Sequence, residues 1–356
     1  MNIEKFDFNF AFVNKECEGE KTCYNIPCDS FSLYGVNYYE KRGLFSRMDP
    51  DVAEKVSLGV AEHAKHTAGG RLCFSTDANY FELSVKYDYL MIMPHMPLTG
   101  SSGFILLEND NGELKRIATF RPQYFDKQGY TQSIALLGDK MRNYILYFPL
   151  YNSVSSLSVS LNLGAKVTKY NPYRNILPIL YYGNSVTQGG CASRPDNAYQ
   201  SLISKRNKID FINLGFSGQG KAEDLMVDYL RAIDCSLLVC DYDHNAPDAE
   251  YLQNTHFRLY ERYRKAKKDV PILFISQVDF DKNQDAYLRR EIIKNTYQKA
   301  KELGDKNVYF LDGQTVFGKE DRDNCTMDGS HPNDFGFNRM ALAIYKKIQE
   351  ISKEFK

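Results

Sequence analysis

Two rhythms of apolar and polar positions run along the chain, and one gives way to the other near residue 168. Up to that point apolar residues recur at every second position, the period of a strand with one buried face. In "FELSVKY", Phe81, Leu83, Val85 and Tyr87 share one side, and Glu82, Ser84 and Lys86 the other. In "SLSVSLNLG", Leu157, Val159, Leu161 and Leu163 alternate with Ser156, Ser158, Ser160 and Asn162. "GFILLEND" and "NYILYFPLY" lie between them, and Asn109-Asp110-Asn111-Gly112 marks a tight turn. Residues 1–168 are therefore expected to form an antiparallel, jelly-roll-like β-sandwich, interrupted by a short helix at "DVAEKVSLGVAEHA".

After "KYNPYRN" compact apolar runs alternate with amphipathic helical stretches. "ILPILYY" precedes "AYQSLISKR", "IDFINL" precedes "AEDLMVDYLRAI", and "SLLVCDY" precedes "YLQNTHFRLYERYRKA". "PILFIS" leads into a helix from about Ala286 to Leu303, and "NVYFLD" into one from about Phe335 to Ile351. These five strand–helix units predict an α/β domain over 169–356, with a parallel sheet covered on both faces.

A length of 356 residues suits two domains, each with its own core. Lys plus Arg equals Asp plus Glu at 45 each, so no nucleic-acid or anionic-membrane partner is expected. The eight cysteines include Cys235 and Cys240 within apolar runs, where a thiol acts as a small hydrophobe. They form no Cys-x-x-Cys pair and no Cys/His zinc spacing, so no metal and no cofactor are expected. "MNIEKFDFNF" lacks the basic and apolar regions of a signal peptide, and no run approaches a membrane span. The expectation is a reduced, cytoplasmic protein.

In a doubly wound sheet, reacting groups gather past the C-terminal ends of the strands, near the point where strand order reverses. Ser185 follows the first apolar run, in "YYGNSVTQGG". "NLGFSGQGK", with Gly218, follows the second, and "DYDHNAP", with His244 and Asn245, follows the third. "DNCTMDGSHPND", with Asp328 and His331, follows the fifth. A sheet order of 2-1-3-4-5 makes Ser185, Gly218 and Asn245 neighbours. This inventory suits acyl transfer. Ser185 is the nucleophile, His331 the base that takes its proton, and Asp328 the carboxylate that orients the imidazole. The Ser185 and Gly218 amides and the Asn245 side chain supply an oxyanion hole. Gln188, Arg194 and His244 are candidate contacts to a small-molecule or oligosaccharide ester, among other polar groups (Ser193, Asp196, Asn197) and the aromatic faces of Tyr199 and Tyr251.

On these residues the sequence resembles the SGNH or GDSL hydrolases, whose four blocks carry a Ser, a Gly, an Asn and a His. Gly183-Asn184-Ser185, Asn213 to Gly218, His244-Asn245 and Asp328 to His331 match them in order. The likeness runs from about Leu177 to the C-terminus and implies a flavodoxin-like hydrolase domain that cleaves esters without a metal. "MPHMPLTGSSGF" and "YFPLYNSV" resemble signatures of a subgroup with an N-terminal β-sandwich, for which carbohydrate esters are the expected substrates. Asn184 departs from the Asp of the family name, as do Tyr242 and Ala246 from the common Gly and Asp. These departures put substrate preference in question rather than chemistry.

Three motifs compete with this reading. "GFSGQGKA" matches a phosphate-binding loop except that Ala222 replaces the Mg²⁺-holding Ser or Thr. His63 and His66 share a helical face that is expected to be solvated. His95, among methionines and prolines, is expected to be structural, with a place in the site wall as the alternative.

Overall fold

The alternation in the first half builds two antiparallel sheets packed face to face. The computed structural model describes residues 3–278, 284–352 and 355. One sheet runs Lys21–Ile26, Ser156–Asn162, Tyr80–Lys86, Gly129–Ala135. The other runs Val167–Lys169, Arg71–Thr76, Arg142–Tyr147, Phe104–Asp110, Glu113–Phe120, with Ser32–Tyr34 also paired to Arg71–Thr76. Register pairs Phe81 with Leu161, Leu83 with Val159 and Val85 with Leu157, so the apolar set of both strands enters one core. Phe31, Phe74, Phe104, Phe120 and Leu146 complete that core from elsewhere in the sandwich. Leu163 departs from the expected alternation: it lies one residue past its strand and is exposed. Asn111 and Gly112 take positive φ (52° and 99°), as a two-residue hairpin turn requires.

The expected single helix is two, Pro50–Val56 and Leu58–Ala64, separated at Ser57. Ser57 ends the first in extended conformation, and its hydroxyl accepts from the Val60 N–H to cap the second. In space they belong to the other half of the molecule. Met48, Ala53, Val60 and Ala64 pack in one core with Leu180, Tyr182, Leu214 and Met226.

That second half has five parallel strands: Ile179–Gly183, Phe211–Gly215, Leu237–Asp241, Ile272–Ile275 and Val308–Leu311. Their order is 2-1-3-4-5, as expected. Alternation divides each strand between two faces, so Leu180 and Tyr182 join one core while Ile179 and Tyr181 join the other. Helices Asp224–Ala232, Ala249–Ala266 and Gln284–Glu302 cover the first face. Tyr199–Asn207 and Asp334–Ile351 cover the second. Among the described residues, no helix is long and apolar enough to cross a membrane.

Buried arginines join the two halves. Arg47 is 3% exposed and donates to the carbonyls of His63, His66, Asn213 and Gly215 at 2.6–2.9 Å. Burial pushes its guanidinium down to about 9. Arg71, wholly buried, donates to the Phe211 carbonyl and faces Asp210 at 3.1 Å. Both grip the second parallel strand at its ends, so the sandwich braces the strand that carries the Gly218 loop.

His256, 1% exposed, lies between the rings of Tyr242 and Phe274, and its Nδ1 has no partner among the described residues. Burial pushes it down to about 3. A histidine lowered on folding takes up a proton in the unfolded chain first. Stability therefore falls as pH drops below the unfolded value near ~6.5 and continues to fall until about 3. His256→Phe keeps the ring stack, and its melting temperature is expected to fall less than wild type between pH 7 and 4. The difference should be on the order of 2–3 kcal/mol, read by thermal denaturation across pH. Parallel curves for the two proteins would mean that His256 is not the titrating group.

Candidate active site

The first parallel strand ends at Gly183, where a Cβ would lie 2.1 Å from the Asp241 carbonyl oxygen of the neighbouring strand. Only glycine leaves the two backbones this close. Asn184 then caps the short helix Ser185–Gln188, its Oδ1 accepting from the N–H groups of Val186 (2.8 Å) and Thr187 (3.3 Å). The other end of its amide donates to Asp241 Oδ1 at 3.3 Å. Burial, reinforced by Asp243, holds the Asp241 carboxyl well above the usual range. An aspartate at 184 would set a further carboxylate against that pair, whereas the amide bonds to it. The departure from the family's Asp is thus matched by what faces it.

Ser185 follows directly, 8% exposed, with Oγ 2.9 Å from His331 Nε2. His331 Nδ1 lies 2.8 Å from Asp328 Oδ2. Asp328 Oδ1 also accepts from the N–H groups of Ser330 and His331, so one carboxylate both folds the loop and holds the ring. Burial alone would raise this carboxyl. The hydrogen bonds from the His331 N–H and ring and from Ser330 outweigh it and hold it at about 2. An ionised carboxylate only accepts, so Nδ1 carries the proton and Nε2 offers its lone pair to the Ser185 hydroxyl. The three residues form one hydrogen-bonded chain that joins segments 146 positions apart.

Gly218 has φ +68° with open space where a side chain would be, in the loop after the second strand. Asn245 Oδ1 accepts from the Gly220 N–H at 3.1 Å, which leaves the Asn245 NH2 turned away from that contact. The Ser185 and Gly218 N–H groups and the Asn245 NH2 have no protein acceptor among the described residues. His244 is partly buried beside His331. Burial, then the neighbouring His331 and Arg289, pushes it down to about 3.

Several expected substrate contacts turn inward. Gln188 is fully buried; its NH2 donates to His66 Nδ1 and the Leu150 carbonyl, and its Oε1 accepts from the Ser217 N–H. It cannot also meet a substrate, and instead ties the sandwich to the Gly218 loop. Arg194 is held by Asp196 and Asn197, Ser193 by Asp334, and Tyr199 is core. Ser193 and Arg194 remain half-buried, whereas Gln188 and Tyr199 are withdrawn from the surface. His66 likewise is buried, not solvated, with His63 Nδ1 3.3 Å from its own Nδ1. Apart from the Gly218 N–H, the phosphate-loop motif leaves few amides for an anion. Those of Phe216, Ser217, Gln219, Gly220 and Ala222 donate to protein acceptors.

The two sandwich signatures meet this site, a placement that the sequence pattern does not reveal. Tyr151 of "YFPLYNSV" donates its hydroxyl to the Ser185 carbonyl at 3.1 Å. Thr99 of "MPHMPLTGSSGF" donates to the Ser193 carbonyl, and the His95 ring lies 5.9 Å from that of His331. Both segments form the docking edge, which was legible only as a family likeness.

With this geometry in view, comparison with known proteins decides the family. The GDSL-like lipase/acylhydrolase family matches residues 177–349, and the N-terminus of SGNH-hydrolase-type esterases matches residues 23–167. The chain belongs to the SGNH, or GDSL, hydrolases. It is similar to a GDSL-like lipase candidate from Bacteroides ovatus, at 25% identity and TM-score 0.84 over 94% of this chain and 98% of that one. It shares its fold with the salicylyl-acyltransferase SsfX3 of a tetracycline biosynthetic pathway (18% identity, TM-score 0.78, 93% and 97% covered). A family two carbohydrate esterase from Clostridium thermocellum, solved with cellohexaose, is a more distant fold relative (14%, TM-score 0.57, 80% and 92% covered). No curated protein matches the chain in sequence. As an SGNH hydrolase, the chain has both an acylhydrolase domain and the β-sandwich expected of its subgroup.

Proposed function

We propose that this SGNH hydrolase is a serine esterase that removes short acyl groups, acetyl foremost, from carbohydrate esters. The observation that carries the reading is the relay Ser185–His331–Asp328, at 2.9 and 2.8 Å. Ser185 Oγ attacks the ester carbonyl while His331 Nε2 takes its proton, and Asp328 steadies the imidazolium that results. The Ser185 and Gly218 N–H groups and the Asn245 NH2 receive the developing oxyanion. His331 then protonates the departing alcohol, and water, deprotonated by the same ring, releases the acyl group from Ser185.

The small acyl group is the finer part of the proposal. A long chain gains only ~0.8 kcal/mol per buried methylene and needs a continuous apolar wall to do so. The rings beside His331 are His95 and His244, whose polar edges suit sugar hydroxyls better than a lipid tail. The fold shared with a carbohydrate esterase is compatible with this substrate class. With p-nitrophenyl esters in EDTA, kcat/KM is expected to fall as the chain lengthens from acetyl to octanoyl. Acetate should also be released from acetylated oligosaccharides. A preference for octanoyl, with no acetate released, would assign the protein to lipid or thioester hydrolysis instead.

A further inference from the structure

We infer that His95, Cys191 and His331 form a binding site for a soft divalent cation, of which Zn²⁺ is the type, and that occupancy switches the esterase off. The inference rests on the proposed role of His331 as base. The three residues come from different parts of the chain: a sandwich loop, the segment after the nucleophile helix, and the loop before the last helix. Each offers one ligand atom, and these atoms lie within 4.8 Å of one another. A tetrahedral zinc with two nitrogens and a sulfur needs them about 3.5 Å apart, so the gap closes by about 1 Å. His95 lies on a loop, which makes it the ligand best able to close that distance.

Cys191 carries an independent sign of a specialised position. It has φ +73°, in the left-handed region where a side chain is strained and glycine would be relaxed. Glycines 189 and 190 precede it, and Gly190 leaves the His331 ring in close contact. A thiol is thus held beneath the catalytic ring at a backbone cost. The Cys191 thiol gives up its proton to solvent as the metal–thiolate bond forms. Ions that favour oxygen ligands, such as Mg²⁺ and Ca²⁺, do not do this; zinc and cadmium do.

The consequence for the relay does not depend on which His331 nitrogen binds. One nitrogen faces Ser185 and the other Asp328. A metal on the first takes the lone pair needed for the Ser185 proton. On the second it displaces the Nδ1 proton, which leaves to solvent or moves to the other nitrogen, and breaks the bond to Asp328 that orients the ring. Three protein ligands suffice, because the fourth tetrahedral position can be filled by water.

The test pairs direct binding with activity. Adding ZnCl2 to the EDTA-treated enzyme should inhibit p-nitrophenyl acetate hydrolysis, reversibly on return of EDTA. His95→Ala and Cys191→Ser should each raise the zinc concentration for half-inhibition at least about 10-fold relative to their own zinc-free rates. CdCl2 should produce a thiolate-to-cadmium absorption band that is diminished in Cys191→Ser. Equal zinc sensitivity in all three proteins, or a cadmium band unaffected by Cys191→Ser, would overturn the inference. A Cys191-dependent band in a protein without esterase activity would uphold the metal site and reject the esterase reading.

Discussion

Ser185→Ala is expected to lower kcat for p-nitrophenyl acetate by roughly 10⁴- to 10⁶-fold while leaving the melting temperature nearly unchanged. The size follows from removing the atom that forms the acyl-enzyme; what remains is binding and oxyanion stabilisation around a water attack. The small effect on stability follows from the contacts of the hydroxyl. Its hydrogen bond is to His331 Nε2 at a partly exposed site, while the backbone of residue 185 keeps its bonds from Tyr151, Gly189 and Gly190. Loss of activity with an intact fold is therefore the expected pair, read by steady-state kinetics and thermal denaturation on one preparation. A folded Ser185→Ala protein that retains a tenth or more of the rate would exclude Ser185 as nucleophile.

Asp328→Asn carries the second largest effect, about 10³- to 10⁴-fold in kcat. The substitution is nearly isosteric, and Oδ1 can still accept from the Ser330 and His331 N–H groups, so the loop should hold. What changes is the partner of the ring. An amide NH2 facing Nδ1 requires a lone pair there and moves the imidazole proton to Nε2, where it blocks uptake from Ser185. Full activity in Asp328→Asn would assign ring orientation to another group, with Ser185 and His331 retained.

The acid dependence of the relay has a definite sign. Asp328 is held at about 2, below the ordinary carboxylate value of 3.8. Its stabilising bonds are present above that ordinary value and are lost as pH falls through about 2. Asp328 therefore contributes no acid limb to the rate above pH ~4, and any limb seen there belongs to another group.

The two rhythms and the strand-end placement of the chemistry can be read from the sequence, while the strand order 2-1-3-4-5 was expected from the family resemblance. Period-two and helical patterns are local, and a parallel sheet leaves its loops on one edge whatever the details of packing. Ser185, His331 and Asp328 were legible because each comes after an apolar run, whereas the capping role of Asn184 emerged only from its hydrogen bonds to Val186 and Thr187. The tertiary structure alone decided which polar residues face inward. Gln188 reads as a loop amide in sequence, yet its partners are His66, Leu150 and Ser217, set by how a separate sandwich docks. The same holds for Arg47 beneath the second strand, Tyr151 behind Ser185, and the meeting of His95, Cys191 and His331. Contacts between segments far apart along the chain leave no period in either segment. They arise only once two separately encoded surfaces are pressed together.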